Sequence, residues 1–259
     1  KFDSGSSTYL KRTPSSAGNR KTWTWSGWIK RVQISSASGA ASQSFIFGVS
    51  GGFQLYFGID KFYMDSGSGI NPSSGDYWTM ASSRLFRDPA SWYHFVFRHD
   101  TTQGTASNRF RIYINGVEET AFASDTRNNI SQNSDGYINA VAEHVIGKQP
   151  GTGTYSKFKL AQVYLIDGQA LGPENFGFTD PLTNTWRPKK YKVEPEVVQT
   201  IQPTYVNSSA VLDPTYAFNG SSGTEATYSG VNSWISFTVT DASNLSVPFE
   251  IRNDSSGTA

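Results

Sequence analysis

The sequence predicts an all-β chain built as a sandwich of antiparallel sheets, and three observations carry the prediction. Short runs of β-branched and aromatic residues recur about every ten to fifteen residues, each bounded by Gly, Ser, Asn or Asp clusters. The stretch RFRIYINGVEETAF alternates Phe110, Ile112 and Ile114 with Arg111 and Tyr113 before Asn115-Gly116. Both of these turn residues tolerate the positive φ of a two-residue type I′ turn, so the stretch reads as a β-hairpin. No segment sustains an apolar period of 3.6 residues, and the best helical candidate is a turn or two over residues 173–176.

In chain order, the first candidate strand is 22–32, rich in tryptophan and threonine, and 44–49 and 53–59 follow, divided by Gly51-Gly52. Turn signals at Asn71-Pro72, Ser74-Gly75-Asp76 and Asp88-Pro89 then lead to 92–99. In this strand Trp92, His94 and Val96 oppose Tyr93, Phe95 and Phe97, and both faces read as buried. Such a strand suits the middle of a sandwich, covered by the second sheet on one side and by loops on the other. The hairpin strands are 110–115 and 117–122, and after Asp135-Gly136 come 144–146 and 158–166. Beyond Trp186-Arg187-Pro188 the composition shifts, and residues 191–203 read as a linker containing Pro195 and Pro203. Residues 216–218, 234–239 and 247–251 read as strands of a second, small β-module, with Pro248 arguing for an edge position. The expected division is therefore a sandwich over 1–190, a linker over 191–203 and part of a second module over 204–259.

Composition narrows the function. The chain has 259 residues, 22 Lys and Arg against 21 Asp and Glu, and no cysteine. A formal charge of +1 gives no long-range field toward nucleic acid or an anionic membrane, so neither is an expected partner. Without cysteine there is no disulfide scaffold, thiolate zinc site or cysteine nucleophile. Aromatic residues at 14% exclude a disordered chain. The longest apolar stretches, such as SFIFGV, fall short of the roughly 18 residues of a membrane span. Lys1-Phe2-Asp3 is neither a signal peptide nor an initiator, which reads as a processed chain or an internal fragment.

For catalysis, the acidic pairs are Glu118-Glu119, expected to point to opposite faces of a strand as solvated charges, and Glu194 with Glu196 in the linker. Neither pair has the placement that glycoside hydrolysis requires, two carboxyl groups flanking one bond. His94, His99 and His144 have neither metal-ligand spacing nor a Gly-x-Ser-x-Gly elbow, and His94 reads as a packed core residue. GVSGG and GTGT lack the lysine or helix context of a phosphate loop. Sugar binding needs aromatic faces beside hydroxyl-bonding groups, which Asp76, Tyr77 and Trp78, then Tyr137 and Asn139, and then Tyr155 supply. Trp23, Trp25, Trp28 and Trp92 fall within strands and read as core.

Four segments together resemble the laminin G-like and concanavalin A-like lectin/glucanase domains: FDSGSSTYL, WTWSGWIKR, the pair SWYHFVFRHD and RFRIYING, and FKLAQVYLIDGQAL. The resemblance covers roughly 1–190 and implies an antiparallel jelly-roll β-sandwich. The relatives' Glu-x-Asp-x-x-Glu catalytic strand is absent, so the expectation is not an enzyme. The domains can bind calcium through loop carboxylates, which makes Asn133, Asp135 and Asp180 calcium candidates; no other cofactor is expected. The wording RTPSSAGNRKTWTWSGWIKR, FRDPASWYHFVFRHDTTQ, NSDGYIN and YLIDGQALGPENFG further resembles laminin G-like modules in structural proteins of marine tailed bacteriophages. This implies a virion structural protein, in a fibre, appendage or other extracellular virion surface. Its expected partners are other virion proteins, copies of itself in a homo-oligomer with a trimer favoured, and host-surface glycans. The alternatives are a secreted bacterial carbohydrate-binding module or glycoside hydrolase, and a purely architectural spacer.

Overall fold

A computed structural model describes residues 1–32, 34, 43–70, 73 and 75–192, together with the backbone of strands 206–208, 233–240 and 246–253. The chain divides into two compact units, Lys1–Lys192 and Val193–Ala259. The expected turn at Asn71-Pro72, most of the expected linker and the expected strand 216–218 lie outside the described residues.

The first unit is a sandwich of two antiparallel sheets. Its strands are β1 (Leu10–Arg12), β2 (Thr22–Arg31), β3 (Ser44–Val49), β4 (Phe53–Gly58), β5 (Lys61–Ser66), β6 (Trp78–Ser82), β7 (Tyr93–Asp100), β8 (Phe110–Ile114), β9 (Val117–Glu118), β10 (Phe122–Asp125), β11 (His144–Ile146) and β12 (Phe158–Asp167), followed by β13 (Gly177–Asp180) and β14 (Thr185–Pro188). The seven-stranded sheet runs β1-β11-β3-β4-β5-β6-β10, the five-stranded sheet runs β12-β2-β7-β8-β9, and β13 with β14 forms a separate hairpin. The expected helical turn is a 3₁₀ turn over Pro173–Asn175.

Alternation along the strands builds the core. Trp23, Trp25 and Ile29 of β2 and Phe95 and Phe97 of β7 meet Phe47, Phe53, Leu55, Phe57, Phe62 and Met64 from the opposing sheet, and all are nearly inaccessible to water. The rings pack offset or edge-on, as in Phe62 with Phe97 at 5.4 Å and Phe57 with Phe95 at 5.8 Å, the geometry that their quadrupoles favour.

The other face of the five-stranded sheet is covered as well. Thr24, Ser26, His94 and Val96 are fully buried there. The Thr24 hydroxyl donates to the Gln169 carbonyl at 2.7 Å, and its oxygen accepts from the Leu171 amide at 2.8 Å. Trp186 of β14 donates from Nε1 to His94 Nδ1 at 2.9 Å. The two-faced burial read from SWYHFVF is thus a middle strand between a sheet and a C-terminal covering segment.

The expected type I′ hairpin joins β8 to β9, with φ of 51° at Asn115 and 83° at Gly116. A Cβ at Gly116 would lie 2.6 Å from the Trp186 ring. Gly116→Ala therefore combines left-handed strain with a clash, and urea unfolding is expected to show a loss of about 2 kcal/mol; unchanged stability would mean that the covering hairpin is not seated there. The strand expected over 117–122 is broken after Glu118, because the chain crosses between sheets: the Glu119 amide still donates to Ile112 O at 2.8 Å, whereas Phe122 already pairs with Ser82 of β6. Trp92, expected in the core, precedes β7 and is 38% exposed.

In the second unit β15 (Val206–Ser208), β16 (Ser233–Thr240) and β17 (Ser246–Asn253) form an antiparallel sheet in that order, so Pro248 lies on an edge strand as its missing N–H requires. No described helix is long and apolar enough to cross a membrane.

Candidate functional site

At one end of the sandwich, the chain entering β6 and the loop around residues 129–138 enclose a hollow of about 170 Å³. Its floor is aromatic, formed by Trp23 and Phe53 with ring centroids 6.2 Å apart and by Trp78, whose ring packs 5.1 Å from Phe110. Its rim is polar and includes Asp76, Asn129, Asp135 and Tyr137. The Tyr137 hydroxyl donates to Asp76 across the opening, and the Asp76 carboxylate accepts from the Ser68 amide at 3.0 Å. Burial, reinforced by the bond to Asp76, pushes the Tyr137 phenol up to about 12, so it is a neutral donor at physiological pH. Close backbone approach is what admits this ring: a Cβ on Gly52 would fall 2.0 Å from it. Arg20 fixes the loop by donating from Nε to Gly136 O at 2.7 Å while pairing with Asp135 at 3.7 Å.

The sequence-derived glycan residues separate on this geometry. Asp76, Trp78 and Tyr137 line one hollow, but Trp78 is only 6% exposed and belongs to the core. The expectation of Trp78 as an open stacking platform is thus corrected: as the first residue of β6, it turns its indole inward. Tyr77 does not line the hollow; its hydroxyl donates at 3.2 Å to Asp65, which also accepts from Gln54, Tyr56 and Thr79. Asn139 lines a second, larger hollow of about 550 Å³ beside Leu10, Arg12 and Leu165 of the edge strands β1 and β12. Its φ is 64°, and its side-chain amide donates to Asn19 O and to Asp167 at 2.9 and 3.0 Å. Tyr155 stands apart, packed 5.8 Å from Tyr9.

Sequence reading missed Trp23, Phe53 and His99 as floor residues because strand-end positions read simply as core. Trp23 Nε1 and His99 Nδ1 are buried beneath the hollow without hydrogen-bond partners among the described residues. That pairing of an apolar pattern with an unmatched polar atom is visible only in three dimensions.

The calcium candidates do not converge. Asn133 and Asp135 share the rim loop, whereas Asp180 sits in the β13–β14 hairpin, accepting from the Leu182 amide at 2.9 Å and from Arg187 Nε at 2.6 Å. No cluster of three or more His, Asp or Glu side chains suited to a metal occurs among the described residues. Glu118 pairs with Arg111 at 3.3 Å and Glu119 with Arg84 at 3.2 Å; Glu119 is buried, not the solvated charge expected of it.

Ser26 and His94 lie 2.9 Å apart, the separation of a nucleophile and its base, yet the polarity runs the wrong way. Trp186 Nε1–H can only donate, so His94 Nδ1 accepts, and Nε2 carries the proton that it gives to Ser26. Burial holds this imidazole down to about 4, neutral and with no free lone pair facing the serine. His144 is likewise committed, with Nδ1 against Ala142 O at 2.9 Å and Nε2 accepting from the Asn139 amide at 3.1 Å.

A two-sheet antiparallel sandwich with an aromatic-floored hollow between its end loops defines a lectin-type scaffold. The chain belongs to the concanavalin A-like lectin/glucanases superfamily, whose laminin G-type description matches residues 4–175. No curated protein matches it. Among solved structures it is similar to the native heptameric SAP-like pentraxin from Limulus polyphemus, at 13% identity over 61% of this chain and 68% of that one, with a TM-score of 0.41. It is also similar to the botulinum neurotoxin serotype D ligand-binding domain in complex with N-acetylneuraminic acid, at 10% identity over 96% and 68% with a TM-score of 0.40. A third is the receptor-binding domain of the botulinum neurotoxin C/D mosaic serotype, at 10% identity over 91% and 60% with a TM-score of 0.44.

Proposed function

We propose that the chain is a non-enzymatic structural module of a tailed-phage virion, placed in a fibre, appendage or other surface protein, which assembles with other virion proteins and adheres to host-surface glycans through the hollow at the end of the sandwich. The observation that carries the adhesive reading is the Tyr137–Asp76 hydrogen bond spanning an aromatic floor. The hollow of about 170 Å³ opens at the end of the sandwich and can take one edge of a pyranose, with hydroxyl-bonding groups on its rim. The virion placement rests on the sequence resemblance to phage structural proteins, and self-association as a trimer goes with it.

A glycan array and host-cell binding by the purified chain, each with and without calcium, test the reading. Tyr137→Phe, which keeps the packed ring, and Asp76→Asn are expected to reduce saturable binding about tenfold while unfolding free energy stays within about 1 kcal/mol of the parent. Loss of binding on chelation would place calcium at the site. No binding under any condition would overturn adhesion and leave assembly alone.

A further inference from the structure

We infer that the outer face of the five-stranded sheet carries a second saccharide site, a ring-stacking hollow formed by Trp92, Trp28, Ala161, Gln162 and Pro188. It shares no lining residue with the rim hollow and does not rest on it. Its volume is about 220 Å³. Trp92 is a large indole left 38% exposed although the chain turns directly from it into β7. Trp28 lies beneath it, 9% exposed, and backs the hollow rather than stacking on a ligand; its plane is fixed by a pile of rings, with His94 stacked on it at 4.9 Å and 17° and Trp186 6.0 Å from His94 at 22°. A backing held in this way loses little side-chain entropy when a ligand docks. Trp28 also carries a buried Nε1–H that finds no acceptor among the described residues.

The polar element is Gln162. It sits in the irregularity of β12 between Ala161 and Tyr164, with φ of 46°. A β-bulge re-aims a side chain out of the ladder, and a non-glycine residue held in left-handed geometry is the kind of strain that persists where function uses it. The side-chain amide of Gln162 makes no hydrogen bond among the described residues and offers both a donor and an acceptor, the match for a sugar hydroxyl. The exposed indole face of Trp92 beside one adaptable amide fits the apolar C–H face and polar edge of a pyranose. The alternative occupant of paired tryptophans with a proline wall, a polyproline segment, needs a groove several residues long at about 3.1 Å each, and five lining residues around 220 Å³ hold one ring instead.

The test is titration of the ¹⁵N-labelled full chain with methyl β-glucoside, methyl β-galactoside, methyl α-mannoside, methyl N-acetyl-β-glucosaminide and a decaproline peptide, following the indole N–H resonances assigned with Trp92→Phe and Trp28→Phe. At least one glycoside is expected to shift the Trp92 and Trp28 resonances saturably. Its Kd should rise about tenfold or more in Trp92→Ala, and about threefold in Gln162→Asn, which keeps a residue tolerant of positive φ. Tyr137→Ala should leave these shifts unchanged whether or not the rim hollow binds anything. Absence of a shift with every glycoside, a shift with decaproline alone, or loss of the shift in Tyr137→Ala would each overturn the proposal.

Discussion

Trp25→Ala is expected to destabilise the sandwich by about 3 to 5 kcal/mol, the range for truncating a buried aromatic residue where the surroundings collapse only partly. The indole is 1% exposed and packs 5.3 Å from Phe97 and 6.2 Å from Phe47. It also lies across its own strand, so close to Gly27 that a Cβ there would stand 2.5 Å from its ring. Removing it opens a void between the sheets, and backbone that is already paired on both sides has little freedom to fill it. Trp92→Ala is the control: with 38% of its surface in solvent it should cost about 1 kcal/mol or less. Urea unfolding of both variants decides the matter, since equal losses would mean that burial does not rank these positions as the packing does.

The second large effect is loss of stability in mild acid. Burial pushes His94 down to about 4 and His99 to about 3 from the ordinary 6.5, and His144 moves in the same direction. Between these values and 6.5 the unfolded chain binds protons that the folded chain refuses. The stabilisation from neutral imidazoles is therefore complete above pH 6.5 and is lost progressively as the pH falls toward 4. At about 1.4 kcal/mol per proton per pH unit, and with the unfolded imidazoles half-protonated at pH 6.5, His94 and His99 together predict a fall of about 3 kcal/mol between pH 6.5 and 5. His94 has the clearest structural reason: protonation would set Nδ1–H against Trp186 Nε1–H, splitting the covering hairpin from the sheet. Unfolding free energies at half-unit steps from pH 7 to 5 test this, and a flat profile would contradict the burial of these rings. In His94→Gln the slope should drop by about one proton.

Much of the sandwich was legible because its central strands obey local rules. Residues 44–49 and 144–146 read from sequence coincide with β3 and β11, and the Asn115-Gly116 turn specifies its own hairpin by conformation alone. Of the strands that escaped notice, β5 carries an alternation of Phe62 and Met64 with Lys61 and Tyr63 that was passed over, whereas others have no local signature. Leu10–Arg12 is exposed at every position, so no alternation marks it, and it exists because β11 offers a partner across the chain. Phe178 and Trp186 belong to a hairpin whose turn residues look like those of any loop. The candidate site was legible in its rim and hidden in its floor. Asp76 and Tyr137 stood out as turn-flanking polar and aromatic residues, but Trp78 was assigned to the loop because Gly75-Asp76 precede it, and nothing in the sequence says which way its indole turns. Trp92 was misplaced for the converse reason, since continuing the alternation of β7 by one residue carries it off the sheet.

The long-range character of the pairings also sets when this unit can form. β2 lies inside its sheet yet takes one neighbour from β12, and the Thr24 hydroxyl finds its acceptor 145 residues further along the chain. β1 likewise waits for β11, and Phe2 bridges to Phe158. During synthesis, the first half of the sandwich leaves the ribosome with one edge of β2 and the His94 imidazole awaiting partners, β12 and Trp186, that have not been translated. Ordering the termini thus belongs to the last steps of maturation, at the millisecond-to-second pace of chains dominated by distant contacts. A nascent chain arrested before Trp186 would leave the outer face of β2 and β7, with Trp28 and His94, uncovered toward whatever chaperone or sister chain stood nearest.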